Sequence, residues 1–334
     1  MRKYFVFVLT LIVLLGLSAC GAQSDTDGGA ASNGKKNQLV KLQLGTGSPG
    51  GTYFPLGQEI ATILNNNVAV KGFKVSAVST GASVENLAKI GQGKLQLGMT
   101  VHTTAQNAAK GEGQFKGHKV DNFGFMGHIY PEIMQIVTLK STGVNSIADL
   151  KGKKVAIGPP GSGTQAAAKL ILKAYGIEDG DYKAYEEGFG DASGKLQNGT
   201  IDASFGFLGA PAAGINELQA VSHKVKFLEV KGDGLKNVLK LSGYGKYIIP
   251  AGTYNWLDKP VQTVSAYSIL VGSTSQISEE LGYKITKAFF ENAGNITHEQ
   301  AKYITKKKAL LGSEDMPLHP GAKRYFKEQG WLEE

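Results

Sequence analysis

Apolar and polar positions along the chain fall into two rhythms, strand-like and helix-like, and the two alternate. Residues 40–44 read as a strand, and 55–65 as a helix with Leu56, Ile60, Ile63 and Leu64 on one side. A second strand is predicted at 73–78. A helix running to Ile90 follows Thr80-Gly81-Ala82-Ser83, and a third strand is predicted at 95–100. That order is the βαβαβ pattern of a parallel sheet covered by helices. A longer β run occupies 133–139, and Ile147 to Gly158 reads as a short helix, a turn and a new strand at 155–158. A loop at 159–164, a helix at 165–175 and the stretch 196–207 complete a second unit. Near the C-terminus another β run, 263–271, leads into a helix over 279–292.

Two units of similar build, with single β runs before and after the second, predict an α/β chain of two lobes joined by two crossing strands as a hinge. Lobe 1 would span 39–132 plus 262–334, and lobe 2 would span 133–261. A body of about 295 residues is large for one core, which favours the division. Ligands of open α/β sheets lie at the carboxyl ends of strands, and here two such edges would face each other across a cleft.

The N-terminal pattern adds a location. Met1-Arg2-Lys3 precedes an apolar run from Tyr4 to Leu17, the build of a secretory signal and too short for a permanent membrane span. Leu17-Ser18-Ala19-Cys20 follows, and Cys20 is the single cysteine. Small residues before a cysteine at the end of an apolar core form a bacterial lipoprotein signal. Residues 1–19 are therefore expected to be removed and the Cys20 thiol acylated, which leaves no thiol for a disulfide. Residues 20–38, free of large apolar side chains after Cys20, would form a flexible lipidated tether. Lys plus Arg number 36 against 28 Asp plus Glu, a net +8 that becomes +6 once Arg2 and Lys3 leave. The densest basic run, Lys302 with Lys306-Lys307-Lys308, reads as the solvated face of a helix-like segment. No aromatic-interleaved basic patch argues for nucleic acid.

Candidate chemistry gathers on glycine-rich turns. Gly45-Thr46-Gly47-Ser48-Pro49-Gly50 has dinucleotide-loop spacing after a strand, yet the next strand ends in Ser79-Thr80-Gly81 with no carboxylate before Glu85. The turn still exposes backbone N–H groups and seats Thr52 and Tyr53 at the strand edge. Gly158-Pro159-Pro160-Gly161-Ser162-Gly163-Thr164-Gln165 has P-loop glycine spacing without the lysine a triphosphate needs. What remains is a helix start with Ser162 and Thr164 hydroxyls, suited to one carboxylate through the positive end of the helix dipole. Thr80 to Asn86 is a third such start, with Ser83 placed as a cap. Beyond the signal only Arg324 remains, so a guanidinium clamp is nearly excluded. The histidines at 102, 118, 128, 223, 298 and 319 show no metal-ligand spacing. His102 is of interest because it follows the third strand where that strand would reach the cleft. A secreted hydrolase or nucleotide-dependent enzyme on the same loops stays open as an alternative. It would need a base near Ser48 or Ser162, with Glu59, Glu85 and His102 the sequence-near candidates. A structural or adhesive lipoprotein is a third reading.

The stretches GTGSPGGTYFPLGQEIA, STGASVENL, PPGSGTQAAAKLIL, GTIDASFGFLGAP, ITKAFFEN and HPGAKRYFKEQG occur in that order between about residues 40 and 330. Together they resemble the TAXI family, the extracytoplasmic solute receptors of TRAP transporters. The resemblance implies a two-lobed periplasmic-binding-protein-like fold (type II) that closes on a ligand, with neither catalysis nor a cofactor. It also implies a lipid-anchored monomer that delivers its solute to a membrane permease driven by an ion gradient rather than ATP. Family ligands are small carboxylates such as glutamate and other amino or organic acids. Carried over position by position, the cleft would include Gly47, Ser48, Thr52, Tyr53, Ser83, Asn86, Ser162, Gly163 and Thr164. One departure adds His102. Where many relatives carry Val-Gln-Ser/Ala-Asp after the third strand, this chain has Thr100-Val101-His102-Thr103. The expected solute is therefore a small carboxylate-bearing one, not glutamate in particular.

Overall fold

A computed structural model of the chain describes residues 40–332, so the expected signal, Cys20 and the tether lie outside the described residues. The first half runs β1 (Lys41–Gly45), α1 (Tyr53–Asn67), β2 (Lys74–Val78), α2 (Ser83–Gly91), β3 (Leu97–Val101), α3 (His102–Lys110) and β4 (Phe123–Leu139). The middle runs β5 (Lys154–Ala156), α4 (Gly163–Ala174), β6 (Lys183–Tyr185), α5 (Phe189–Gln197), β7 (Ala203–Leu208), α6 (Ala213–Ser222) and β8 (Val225–Leu228). The remainder runs α7 (Gly232–Leu241), β9 (Gly245–Ile249), β10 (Val261–Ser273), α8 (Glu279–Glu291) and α9 (Pro320–Glu328). Short 3-10 turns fill several connections, and Lys306–Lys308 forms one of these turns instead of the expected face of a longer helix.

Ten strands share one sheet in the order β2-β1-β3-β10-β4-β7-β5-β6, with β8 on β4 and β9 on β10. β1 lies parallel between β2 and β3, as a βαβαβ unit requires, because each crossover helix must return the chain to the same end. β5 likewise lies parallel between β6 and β7. β4 and β10 are antiparallel to each other and run through both halves. Buried apolar side chains divide on either side of them. One core takes residues from Leu42 to Tyr130 and again from Ile269 to Phe326. A second takes Met134 to Ala266 together with Val101. Each half buries its own helices, so the crossing strands are the covalent bridge between two packed bodies.

β4 begins ten residues before the predicted run, and its composition explains why. Gly124, Gly127 and Pro131 interrupt residues 123–132, and register shifts against β10 leave Met126 and Ile129 as bulges. Gly124 has a packing reason, since a Cβ there would lie 2.4 Å from the backbone nitrogen of His319. α4 begins at Gly163, two residues before the predicted start, which makes Gly163 and Thr164 first-turn residues. Among the described residues no helix is long and apolar enough to cross a membrane.

Candidate functional site

The carboxyl ends of β1, β3, β5 and β7 converge on a cavity of about 60 Å³, with the middle of β4 beside them. Of the expected residues, Gly47, Ser48, Thr52, Tyr53, Ser83, Ser162, Gly163 and Thr164 line it. The lining contains no lysine or arginine. An engineered apolar cavity of about 150 Å³ accepts benzene, so this space suits a very small guest unless the walls move apart.

Each wall has a local cause. Ser162 is the N-cap of α4, and its hydroxyl oxygen accepts from the Gln165 N–H at 3.0 Å. Helix geometry leaves the N–H groups of Gly163 and Thr164 without intrahelical acceptors at the cavity wall. The Thr164 hydroxyl accepts from the Phe207 N–H at 3.2 Å, which ties α4 to β7. Ser83 does not cap α2, contrary to the expectation. Ala82 holds the N-cap position, and the Ser83 oxygen accepts from the Val101 N–H at 3.1 Å.

Contacts across the cleft hold the two bodies together. The Gly209 N–H donates to the Thr52 hydroxyl oxygen at 3.0 Å. The first N–H groups of α2, from Val84 and Glu85, donate to the Gly161 carbonyl at 3.0 and 3.2 Å. The α2 start is thus occupied by protein, whereas the α4 start faces the cavity. Gly50, at φ +82°, meets Gly190 so closely that a Cβ on Gly50 would lie 2.7 Å from the Gly190 Cα. Gly50 must therefore be glycine, whereas a Cβ on Gly190 would press on the Pro49 carbonyl oxygen at 3.2 Å.

Two expected residues lie elsewhere. Asn86 is fully buried beneath the sheet edge. Its amide donates to the Thr46 and Met99 carbonyls at 2.8 Å each, and its oxygen accepts from the Thr80 hydroxyl at 2.7 Å. All its hydrogen bonds here knit β1, α2 and β3, so its place is structural. His102 opens α3 and turns away, accepting the Tyr267 N–H on Nδ1 at 3.0 Å and packing on the Tyr267 ring. Burial holds its pKa down to about 4, so the ring stays neutral. The other bases considered for the enzyme reading are engaged as well. Glu59 accepts from the Thr297 and His298 N–H groups, and Glu85 accepts from the Gly81 N–H and pairs with Lys89.

Sequence reasoning missed Glu132 and an apolar wall of Phe189, Phe205, Phe207 and Leu208. Glu132 sits on β4 in the cavity lining and is 2% exposed. The Tyr130 hydroxyl donates to its Oε1 at 2.9 Å, while Oε2 has no hydrogen-bond partner. The buried Tyr53 hydroxyl, beside Glu132, Ser268 and Ser83, also lacks one, as does the Ser268 hydroxyl. Burial pushes the Glu132 carboxyl up to about 8, and the Tyr130 and Tyr53 hydroxyls only partly oppose that rise. The signal available in the sequence was one charge inside a mostly apolar run, residues 129–137. Among the described residues no cluster of three or more His, Cys, Asp or Glu could hold a metal ion.

Fold and site together define a class: a two-lobed α/β protein whose lobes meet over a small, hydroxyl-rich cavity at the carboxyl ends of strands from both. The chain belongs to the NMT1-like family, which it matches over residues 44–330. Its fold is the periplasmic-binding-protein-like one. A structure from Bordetella bronchiseptica RB50 is similar with a TM-score of 0.53 at 17% identity, covering 87% of this chain and 82% of that one. The alkanesulfonate-binding protein SsuA from Xanthomonas axonopodis pv. citri, bound to MOPS, is similar with a TM-score of 0.48 at 16% identity over 86% of this chain and 83% of that one. A curated relative, 4-amino-5-hydroxymethyl-2-methylpyrimidine phosphate synthase from Schizosaccharomyces pombe, is 28% identical over 138 residues, which is 41% of this chain and 36% of the relative's length.

Proposed function

We propose that the protein is a solute receptor whose lobes, 39–132 plus 262–334 and 133–261, close on a small carboxylate-bearing molecule. The observation that carries this reading is the cavity itself, shared by both bodies and containing the open start of α4. The Gly163 and Thr164 N–H groups receive the carboxylate, with the Ser48 and Thr52 hydroxyls supplied from the first lobe. Backbone dipoles at a helix start neutralise such an anion without a basic side chain. Closure around the solute creates the surface that a transporter reads.

By the motif resemblance, the transporter is a TRAP-type permease served by a TAXI-type receptor and driven by an ion gradient. The receptor would work outside the cytoplasm, held to the membrane through acylated Cys20. Isothermal titration of the mature protein against amino acids and small mono- and dicarboxylic acids tests the core claim. Saturable binding of at least one is expected, and no binding at millimolar concentration by folded protein overturns it. Cys20→Ser should move the protein from the membrane fraction to the soluble fraction, and unchanged membrane association would refute the lipid anchor.

A further inference from the structure

At the end of the sheet away from the cavity, one face carries positive charge and lies open. The carboxyl ends of β1 and β3 reach the cavity, so their amino ends lie at the opposite end. Lys41 opens β1 and Lys74 opens β2, and the parallel register sets them directly opposite each other, followed by Gln43 opposite Ser76. All four are exposed, while Leu42 and Val75 between them are buried. Parallel strands are ordinarily covered on both faces. Here these residues, with Gln96, line an uncovered hollow of about 360 Å³. Lys71 and Lys94 are exposed in the turns that lead into β2 and β3. Among the described residues none of these four lysines forms a salt bridge, whereas Lys89 in α2 pairs with Glu85. No acid lines the hollow. Asp121, before β4, is separated from β1 by β3 and β10. Glu279 and Glu280, at the start of α8, pair with Arg324 and Lys284. Like charges directly opposite on neighbouring strands repel, so a layer of negative charge laid over this face would stabilise it.

We propose that this face docks on an anionic phospholipid surface. Charge complementarity is the first ground: headgroup phosphates between Lys41 and Lys74 relieve the repulsion, with the Gln43 amide and the Ser76 hydroxyl beside them as donors. Connectivity is the second. The Val40 N–H donates to the Gly72 carbonyl at 3.1 Å, so the chain from Cys20, which includes Lys35 and Lys36, enters the body at the edge of this face. An anchor at Cys20 therefore brings this end of the body to the bilayer. Four strand steps separate Lys41 from Gly45, about 13 Å, so the contact leaves the cavity untouched. The proposal goes beyond the receptor reading and depends neither on the solute nor on the transporter.

The test uses the mature chain, residues 20–334, made without its signal so that Cys20 carries no lipid. The result is then independent of the proposed anchor. Vesicles are phosphatidylcholine alone or with about 30% phosphatidylglycerol, and co-sedimentation at low salt and at about 0.5 M salt reads the affinity. Binding to the anionic vesicles should exceed binding to the neutral ones at least about tenfold and disappear at high salt. Each lysine near such a surface contributes about fivefold, so Lys41→Gln with Lys74→Gln should weaken binding about 25-fold. Replacing Lys306, Lys307 and Lys308 together with glutamine removes more charge from a denser run, yet should change binding less than about threefold. The double variant should melt within about 2 °C of the wild type, since both side chains are exposed. Equal binding to both kinds of vesicle, a double variant that binds like the wild type, or an equal loss from the triple variant overturns the proposal. If the double variant loses binding to poly-L-glutamate while neither protein binds vesicles, the face serves an acidic protein segment and the membrane assignment falls.

Discussion

Replacing Glu132 with glutamine should stabilise the ligand-free protein, and the gain should grow with pH. The folded-state pKa of about 8 stands against an ordinary value of 4.5. Below pH 4.5 the acid is neutral whether the chain is folded or not, and the amide is its near-isostere, so the two proteins should match. Between 4.5 and 8 the unfolded chain releases the proton while the folded chain keeps it. Fewer protons bound in the unfolded state means that stability falls as pH rises. Each tenfold change in proton affinity is worth about 1.4 kcal/mol, so the span corresponds to at most about 5 kcal/mol, and water entry brings the working range to about 2–5 kcal/mol. For a chain of this size that is roughly 3–8 °C in melting temperature.

The assay is thermal unfolding of both proteins without ligand at pH 5, 6.5 and 8. The difference between them isolates Glu132, because every other titrating group is common to both. His102 and His128 matter here, since burial lowers them to about 4 and about 3 and each gives an opposite slope at acid pH. Their effect cancels in the difference. A gap that opens steadily from pH 5 to pH 8 is expected. A gap that is constant with pH, or that closes, refutes the argument that desolvation of this carboxyl limits stability.

Asn86→Ala removes three buried hydrogen bonds, taking one donor from each of the Thr46 and Met99 carbonyls, and the Thr80 hydroxyl remains on Thr46, so about 2–4 kcal/mol of stability should be lost in urea unfolding. Ligand preference in the surviving folded fraction should not change. Gly190→Val places methyl groups against Pro49 and Gly50 across the cleft. It should weaken solute binding at least about tenfold while altering stability by less than about 0.5 kcal/mol, as read by titration and by melting. His128, whose ring nitrogens are both buried without partners, should make the protein acid-labile. Stability falls as pH drops from about 6.5 towards 3, because the unfolded chain takes up the proton first. His128→Phe should therefore lose less melting temperature between pH 7 and pH 4 than the wild type.

Segments with a regular period were legible in the sequence. The alternation in 40–44 and the one-sided apolar face of 55–65 gave β1 and α1, and the order of elements gave the parallel unit. The first half of β4 was not legible, because its bulges at Met126 and Ile129 destroy the alternation on which a strand reading depends. β9 was missed because it is short and largely exposed, with only Ile249 of its five residues buried. The three glycine turns were readable as helix starts, but not which start stays open. That depends on Gly161 of one lobe reaching the N–H groups of α2 on the other, a contact between residues far apart in sequence. Asn86 and His102 show the same limit at single residues. Position at a strand edge is written in the sequence, whereas side-chain direction is set by neighbours: Asn86 points under the sheet and His102 towards Tyr267.

Ligand should change the pH response of the fold, and the reason lies in proton counting. In the free protein Glu132 holds a proton up to about pH 8 that the unfolded chain has already lost. A solute that brought a cationic group to Glu132 would keep its carboxylate ionised, so the bound native state and the unfolded state would hold the same number of protons at this site. Equal numbers give no slope. The same result follows from affinity: a solute that needs the ionised form of a group titrating near 8 would bind about 50-fold more tightly at pH 8 than at pH 6, which adds about 2 kcal/mol of ligand stabilisation at fixed excess ligand. That nearly cancels the loss of about 2–3 kcal/mol from Glu132 over the same interval. Melting curves with and without saturating amino acid should therefore diverge from pH 6 to pH 8, flat when loaded and falling when free, once the Glu132→Gln baseline is subtracted. Parallel curves would mean that the ligand leaves the proton on Glu132, and the acid would then be a hydrogen-bond donor to the solute instead of its counter-charge.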